Sequence, residues 1–594
     1  MSSITAGART RIARTGFEIP QKLRALVRAR ESGLVVLGAL IGAIAGGVVA
    51  AMSLGVSVLH SVLFDIPWGA RLSSLTAISP TLAIAVPTVG GLGFGLALTA
   101  LLRWRPGREI DPIEANALHG GRMSVRGSLI VALQTVWSSG VGASVGLEAG
   151  YTQMASGLAS RIGQAFRLRR RDLRVLVGCG AAGAIAGAFG APLAGAFYAF
   201  ELVIASYSVA SLAPVGIAAL VGFLVAGALG QPPLDIGGMY VSHVRGTDLA
   251  IAALVGLLAA GVGVTLMRGV ALCETLMNAV RIRPALRPTL GGLVVGAFAM
   301  VTPEVLSSGH GAIHISSTLT SPLSAIALLF VLKSLASIVS LGTGFRGGLF
   351  FASLLIGALG GRLFAEAANG LLPSLGLDAH VYAVVGLGAL SVSVIGGPLT
   401  MTFIALETTG DFWLTTAVLI SIIVAAQVTR ETFGYSFATW RFHLRGESIR
   451  SAADVGWIRE LTVRRMMRPD VRTVLSHTTA GRFRLVFPLG STTQVVAIDE
   501  NKRYAGIIQV AEVHAPEVDE ATPVRDLAHF RDTALLPTMT VKEAMTAFEK
   551  AEAEALAVID SVEKAEVVGL LTEAYTLRRY KDELEQRRQE LLGE

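Results

Sequence analysis

Glu148 is the only charged side chain between Arg126 and Arg161, and it stands in the stretch SSGVGASVGLEAGYTQMASG, residues 138–157. A charge at the centre of a bilayer costs about 2.5–3.5 kcal/mol on insertion scales, so such a carboxylate must be protonated, paired or close to water. No base lies near it in sequence. Gly140, Gly142, Gly146 and Gly150 let backbone approach whatever occupies the site. Residues from Ala149 onward read as helix, which puts Glu148 at a helix N-terminus, where free N–H groups and about half a positive charge suit an anion. A tethered carboxylate can take an anion's place there and vacate it by swinging away or accepting a proton. That is a competitive gate made of one side chain. A plain helix cap at a membrane surface uses the same residues.

Other titratable groups are sparse in this part of the chain. Lys333 is alone between Ser321 and Phe345; it could pair with an acid, add positive potential, or snorkel to an interface. His310 and His314, in SSGHGAIHI, are candidate titrating groups, with plain loop histidines the other reading. Cys179 and Cys273 sit in apolar sequence and read as two lone buried thiols, with neither a disulfide nor a metal site expected.

The elements that must position these groups are apolar. The 594 residues are 52% hydrophobic and 16% charged, against about 25% charged in soluble domains. Gly33–Phe64 carries no Asp, Glu, Lys or Arg, and at about 1.5 Å per residue a helix of that length exceeds a hydrocarbon core of about 30 Å. A long tilted helix is expected. Residues 175–234 contain one charge, Glu201. Several apolar segments are short or cut by Gly and Pro, including GAFGAPLAGAFYAF, GTGFRGGLFFASLLIGALGG and VIGGPLTMTFIALETTGDF. Such breaks suggest half-helices ending inside the membrane, tolerated only where buried or lining a cavity, and paired broken helices in two halves point to a midplane site. GLEAG (146–150) and GGLFFA (347–352) are the candidate pair.

Residues 1–30 carry seven basic side chains against Glu18, so the positive-inside rule places this tail in the cytoplasm, with the Arg167–Arg174 and Arg281–Arg287 clusters. Topology thus accounts for the net charge of +7, and no nucleic-acid partner is expected. Charges become frequent after Arg445, which divides the chain into a basic tail (1–30), a membrane domain (31–445) and a soluble domain (446–594). The soluble part repeats one design: VVAIDENKRYAGIIQ (495–509) and ALAVIDSVEKAEVVGLLT (555–572) are each an apolar strand, an acidic turn and a second strand behind a glycine. It resembles a small α/β tandem pair of CBS domains, at about 461–515 and 522–580. By that resemblance Thr572 and Glu512 are candidate adenosine-nucleotide ligands, although Tyr575 and Gln509 depart from the usual pattern; a structural or dimerising module is the other reading.

The membrane part resembles the CLC family of chloride channels and chloride/proton antiporters. GLEAG matches the gating motif G-(K/R)-E-G-P, with Leu147 and Gly150 departing from it. GAPLAGAFYAFE (190–201), GGLFFA, GGPLTMTFIALETTGDF (396–412) and GYSFA (434–438) follow in the family's order. The resemblance implies an all-α polytopic fold of about 17 or 18 broken, tilted helices in an inverted repeat, a homodimer, cytoplasmic termini, no required cofactor and no enzymatic activity. It implies that Glu148 gates, that Tyr435 donates its hydroxyl to a central anion, and that backbone at Leu349, Phe350 and Ala149 lines the sites. GREIDPIEANAL (107–118) stands where the family carries a serine-bearing segment, so Gly107 and Arg108 are candidate anion contacts, and Arg108 bears on which anion is preferred. Leu202 occupies the position of the family's inner proton-carrying acid. This favours channel-like conduction of chloride; a proton antiporter, a carrier of bicarbonate, nitrate or fluoride, and more remotely a CBS-regulated cation transporter are the alternatives. Glu201 could substitute in the proton pathway or be structural.

Overall fold

A computed structural model describes residues 31–75, 77–104, 109–234, 244–309, 322–434, 436 and 461–592. The chain divides into two units between Asp454 and Val455. The first is helical throughout its described residues: α1 Glu31–Phe64, α2 Pro80–Trp104, α3 Pro112–Leu118, α4 Val125–Gly140, α5 Glu148–Ala165, α6 Arg170–Phe189, α7 Pro192–Tyr198, α8 Val209–Ala228, α9 Gly246–Ala279, α10 Arg287–Ala299, α11 Leu323–Gly342, α12 Phe350–Leu371, α13 Ala379–Ile395, α14 Pro398–Thr409 and α15 Phe412–Thr432. Eight of these are long and apolar enough to cross a bilayer, so the chain is a multi-pass membrane protein. Exposed leucines and valines along α1, α8, α9 and α11 supply the lipid-facing surface, whereas α13 is buried almost along its whole length.

The order of elements repeats. The first half opens with the 34-residue α1 and the second with the 34-residue α9; at about 1.5 Å per residue each is about 50 Å long and has to tilt. α1 packs on α8 as α9 packs on α15, and α5 on α6 as α12 on α13. The short helices α7 and α14 meet across the halves, and their acids are exchanged. The Glu201 carboxylate, in a π-helical turn (Ala199–Ile204) after α7, accepts from Leu399 N at 2.9 Å and Thr400 N at 2.8 Å in the first turn of α14. Glu407, in α14, accepts from Leu193 N at 2.8 Å and Ala194 N at 2.9 Å in the first turn of α7. Each helix begins with proline and has no side-chain cap of its own, and each receives an acid from the other half. A relation in which one residue contacts another and its counterpart returns the contact is that of a two-fold axis.

Small residues let these helices cross closely, as packing within lipid requires. A Cβ at Gly361 would collide with the Tyr382 carbonyl where α12 crosses α13, and one at Gly292 would collide with the Pro87 carbonyl where α10 crosses α2. Cys179 is fully buried in α6; Cys273 is only partly so, against Gly342.

The second unit contains the two expected hairpins: β1 (Thr473–Leu475) runs parallel to β2 (Gln494–Ile498), which pairs antiparallel with β3 (Tyr504–Gln509), and β4 (Ala555–Ile559) pairs antiparallel with β5 (Val567–Thr572). Both hairpins shift register just before the acid of the turn. There Asp499 Oδ1 accepts from Asn501 N and Arg503 N, and Asp560 Oδ1 from Glu566 N, so the repeated acids close the turns. The halves exchange segments. Leu461, Val463 and Met466 join the core of the second hairpin with Val541, Phe548 and Leu571; Val524 enters the core of the first, and Val524 N and Arg525 N donate to Thr478 O and Ser476 O. Core membership therefore does not follow the chain-order bounds 461–515 and 522–580.

Two predictions follow from the crossings and the exchanged acids. Gly361→Val should destabilise the membrane unit by about 1–3 kcal/mol, the cost of overpacking a closed interface, read as a lower unfolding temperature in detergent; an unchanged temperature would refute the tight crossing. Glu201→Gln and Glu407→Gln should each lower that temperature, and to a similar extent, because each removes charge-assisted bonds to one helix start. A drop in only one of them would contradict the reciprocity.

Candidate functional site

α4 ends at Gly140, and the chain turns through residues 141–147 before α5 starts at Glu148. Gly142 takes a φ of +88°, which favours glycine. Side chains of α11 pin the turn: Ser144 N donates to Ser340 Oγ at 2.9 Å, and the hydroxyls of Ser144 and Ser337 lie 3.1 Å apart; beside it Ser138 Oγ, in α4, accepts at 3.0 Å from Arg346 N in the segment before α12. The turn then meets its counterpart from the other half. Gly146 N donates to Gly348 O at 2.9 Å and Gly348 N to Gly146 O at 3.2 Å, a two-bond antiparallel bridge. Two residues beyond the bridge on each side a helix begins, α5 at Glu148 and α12 at Phe350. Their N-cap residues, Leu147 and Leu349, are apolar and give no side-chain cap, so two sets of free amides converge.

Glu148 is 3% exposed. Its Oε1 accepts from Phe351 N, in the first turn of α12, at 3.1 Å, and its Oε2 has no hydrogen-bond partner among the described residues. The acid of one half thus occupies the anion-attracting end of the other half's helix. The glycines beside it are there for room: a Cβ at Gly146 would collide with the carboxylate, and one at Gly348 would lie 3.4 Å from Oε2. Leu349 and Phe350 are both buried, and the Phe350 ring packs against Phe189 at 4.7 Å between centroids and Tyr198 at 6.0 Å. Ala149 follows Glu148 in the first turn of α5. Gly107, Arg108, Tyr435, His310 and His314 lie outside the described residues.

Glu201 and Leu202 fall in the π-helical turn. Glu201 is engaged by two amides and by the Thr400 hydroxyl at 2.7 Å; Leu202 packs near Gly396. Lys333 is fully buried in the middle of α11, so it does not snorkel. Its ammonium donates to Val305 O at 2.9 Å and Ser307 O at 2.8 Å, within electrostatic reach of Glu304. Ser307 Oγ lies 2.9 Å from Ser139 Oγ, and the Ser139 carbonyl lies 3.0 Å from His60 Nε2. This buried polar chain forms one wall of a cavity of about 660 Å³ whose lining includes His60, Ser139, Ser307, Leu147 and Tyr151. The cavity therefore reaches the start of α5.

Sequence reasoning missed Glu407, Tyr151 and the serines that hold the turn. Glu407 had a signal: PLTMTFIALE repeats the proline-to-glutamate spacing of PLAGAFYAFE. The serines had none, since small polar residues are common in membrane helices.

In the second unit, Glu512 Oε2 lies 2.6 Å from His529 Nε2, and the Thr572 carbonyl accepts from the Thr576 hydroxyl at 2.8 Å. Tyr575 packs beside the second core with the Arg578 guanidinium 5.4 Å above its ring.

Residues 95–430 match the family model described as voltage gated chloride channel. The chain is 32% identical over 370 residues, 60% of its length and 82% of the relative's, to a putative chloride channel protein ClcB-like of Ralstonia nicotianae. It is 28% identical over 402 residues to the voltage-gated ClC-type chloride channel ClcB of Escherichia coli, spanning 95% of that protein. Among solved structures it is similar to a slow cyanobacterial Cl-/H+ antiporter (TM-score 0.60, 21% identity, 69% of this chain and 97% of the other) and to a eukaryotic CLC transporter (TM-score 0.57, 20% identity, 93% and 98%). A family model covering more than half of the chain, the relatives' extent and two inverted halves meeting at an acid between helix starts agree: the chain belongs to the CLC family of voltage gated chloride channels and related transporters.

Proposed function

We propose that the chain conducts a small monovalent anion, chloride foremost, through a pathway opened and closed by Glu148. The observation that carries this reading is the bond from Phe351 N to the Glu148 carboxylate. The carboxylate holds the place that an anion would take between two uncapped helix starts, and amide dipoles there replace hydration without trapping the ion by a full charge. Ionised, Glu148 competes with the anion; protonated or swung out, it yields. No bond of the substrate is broken, so this reading contains no enzymatic step.

With residues 1–30 cytoplasmic, α1 runs outward, and the cavity lined by its second half opens on the external face. The C-terminus is then cytoplasmic as well. Two copies assemble, each with its own pathway. Tyr435, Gly107 and Arg108 belong to the central and inner parts of the path in this reading, and an arginine where the family carries serine would tighten anion binding there. Passive conduction is favoured by Leu202 at the inner acid position and by the commitment of Glu201 to the start of α14. Proton-coupled exchange is the second reading. Its support is a different inner acid: Asp111 caps the start of α3, and the adjoining Glu114 is 5% exposed.

Reconstituted into liposomes under an anion gradient, the protein should pass chloride faster as the pH falls, without moving protons uphill. Glu148→Gln should carry flux that no longer varies with pH. Retained pH dependence in that variant would remove the gate, and uphill proton movement by the unmodified protein would establish exchange.

The second unit acts as a CBS pair that is structural or dimerising rather than nucleotide-sensing, because Glu512 is engaged by His529 and Tyr575 replaces an acid. Calorimetric titration of the full chain with ATP should show no saturable heat up to about 1 mM; saturation with a micromolar Kd that Thr572→Val abolishes would reverse this assignment.

A further inference from the structure

We propose that the Tyr151 hydroxyl is a ligand of the permeating anion, donating its hydrogen to a monovalent anion held where the cavity meets the first turn of α5. This assignment rests on the anion-transport reading and adds a residue to it. Tyr151 is 2% exposed, and its hydroxyl is buried without a hydrogen-bond partner among the described residues. Buried tyrosines nearly always find a partner for the O–H, and an unmet donor is costly. Yet this residue lines the cavity, beside Leu147.

Its position in the helix supplies the second half of the argument. Tyr151 is three residues after Glu148, so both side chains lie on the same face of α5, and its hydroxyl is within electrostatic reach of the Glu148 carboxylate. Glu148 Oε2 is itself without a partner among the described residues. A donor and an acceptor are thus left over on one face of one helix, and they do not bond each other. Both atoms are closed to solvent while Glu148 is in place, so the phenol meets an anion when the protonated Glu148 side chain moves aside and the anion takes its place, accepting from the phenol. An ionised Glu148 repels that anion and leaves the phenol unmet. No full positive charge stands at this point of the motif, which has Leu147 instead. Among the described residues, binding at this point rests on neutral donors and the helix start, which favours weakly hydrated anions such as bromide, nitrate or thiocyanate over strongly hydrated fluoride.

The alternative is that Tyr151 serves only as a packing body in the surrounding apolar cluster. Tyr151→Phe separates the two, because it keeps the ring and removes the donor. In purified full-length protein carrying Glu148→Gln, chloride and bromide affinities measured by calorimetry should fall about tenfold when Tyr151→Phe is added, the loss expected for one hydrogen bond to a charged group. The preference for bromide over fluoride in liposome flux should narrow, and the unfolding temperature in anion-free buffer should stay within a few degrees. Unchanged affinity and selectivity in a preparation whose unmodified form transports chloride would overturn the Tyr151 assignment and leave the transport reading standing. Absence of both anion flux and anion binding in the unmodified protein would overturn both. Should Tyr151→Phe fail to fold, bromide soaked into crystals of Glu148→Gln protein decides alone. An anomalous peak within hydrogen-bond distance of the Tyr151 hydroxyl supports the assignment, and peaks only elsewhere refute it.

Discussion

Everything in the membrane unit is arranged around a backbone contact that has no side chain in it. Gly146 and Gly348 exchange two hydrogen bonds, and this join sets the starts of α5 and α12 against each other. Helix ends inside a bilayer are expensive, because free amides there have no water. Bringing two of them together concentrates that cost in one place, where an acid or an anion relieves it. Glu148 is therefore less a charge inserted into an apolar interior than the partner that the backbone there demands. That demand is what makes a buried carboxylate tolerable at this point.

The join is held by quiet means. Ser144, Ser337 and Ser340 tie the turn before Glu148 to α11, Ser138 ties the end of α4 to the segment before α12, and Lys333 in α11 grips the carbonyls of Val305 and Ser307. The lysine takes a role outside the three that sequence reading offered: its Nζ satisfies a buried stretch of backbone. Full burial removes one of those three, snorkelling.

What the sequence discloses depends on how local the cause is. The position of Glu148 at a helix start was legible, because glycines, the following helical stretch and the lone charge all lie within a few residues. Its partner segment, GGLFFA, was legible as the matching break in the other half, but the particular amide, Phe351 N, was not, since an amide leaves no mark on composition. The resemblance of motifs, more than any periodicity, led to Leu349 and Phe350. Glu201 was visible as a choice between proton carrier and structural acid, and only the position of α14 shows what it touches. In the second unit the repeat was plain from strand–turn–strand composition, while the exchange of segments between its halves was hidden. Leu461 and Val524 read as apolar residues at the edge of a repeat, and an apolar pattern looks the same whichever core it enters.

The traded carboxylates Glu201 and Glu407 bear on how such a chain comes into being. Synthesis proceeds from the N-terminus, so α7 emerges with Leu193 and Ala194 amides whose acceptor, Glu407, has yet to be made. The leading portion must wait in the lipid with that helix start unanswered, and it cannot reach its settled form while the trailing portion is still on the ribosome. Both closures therefore form only once α14 has been made, and a product cut short before it would be left without either.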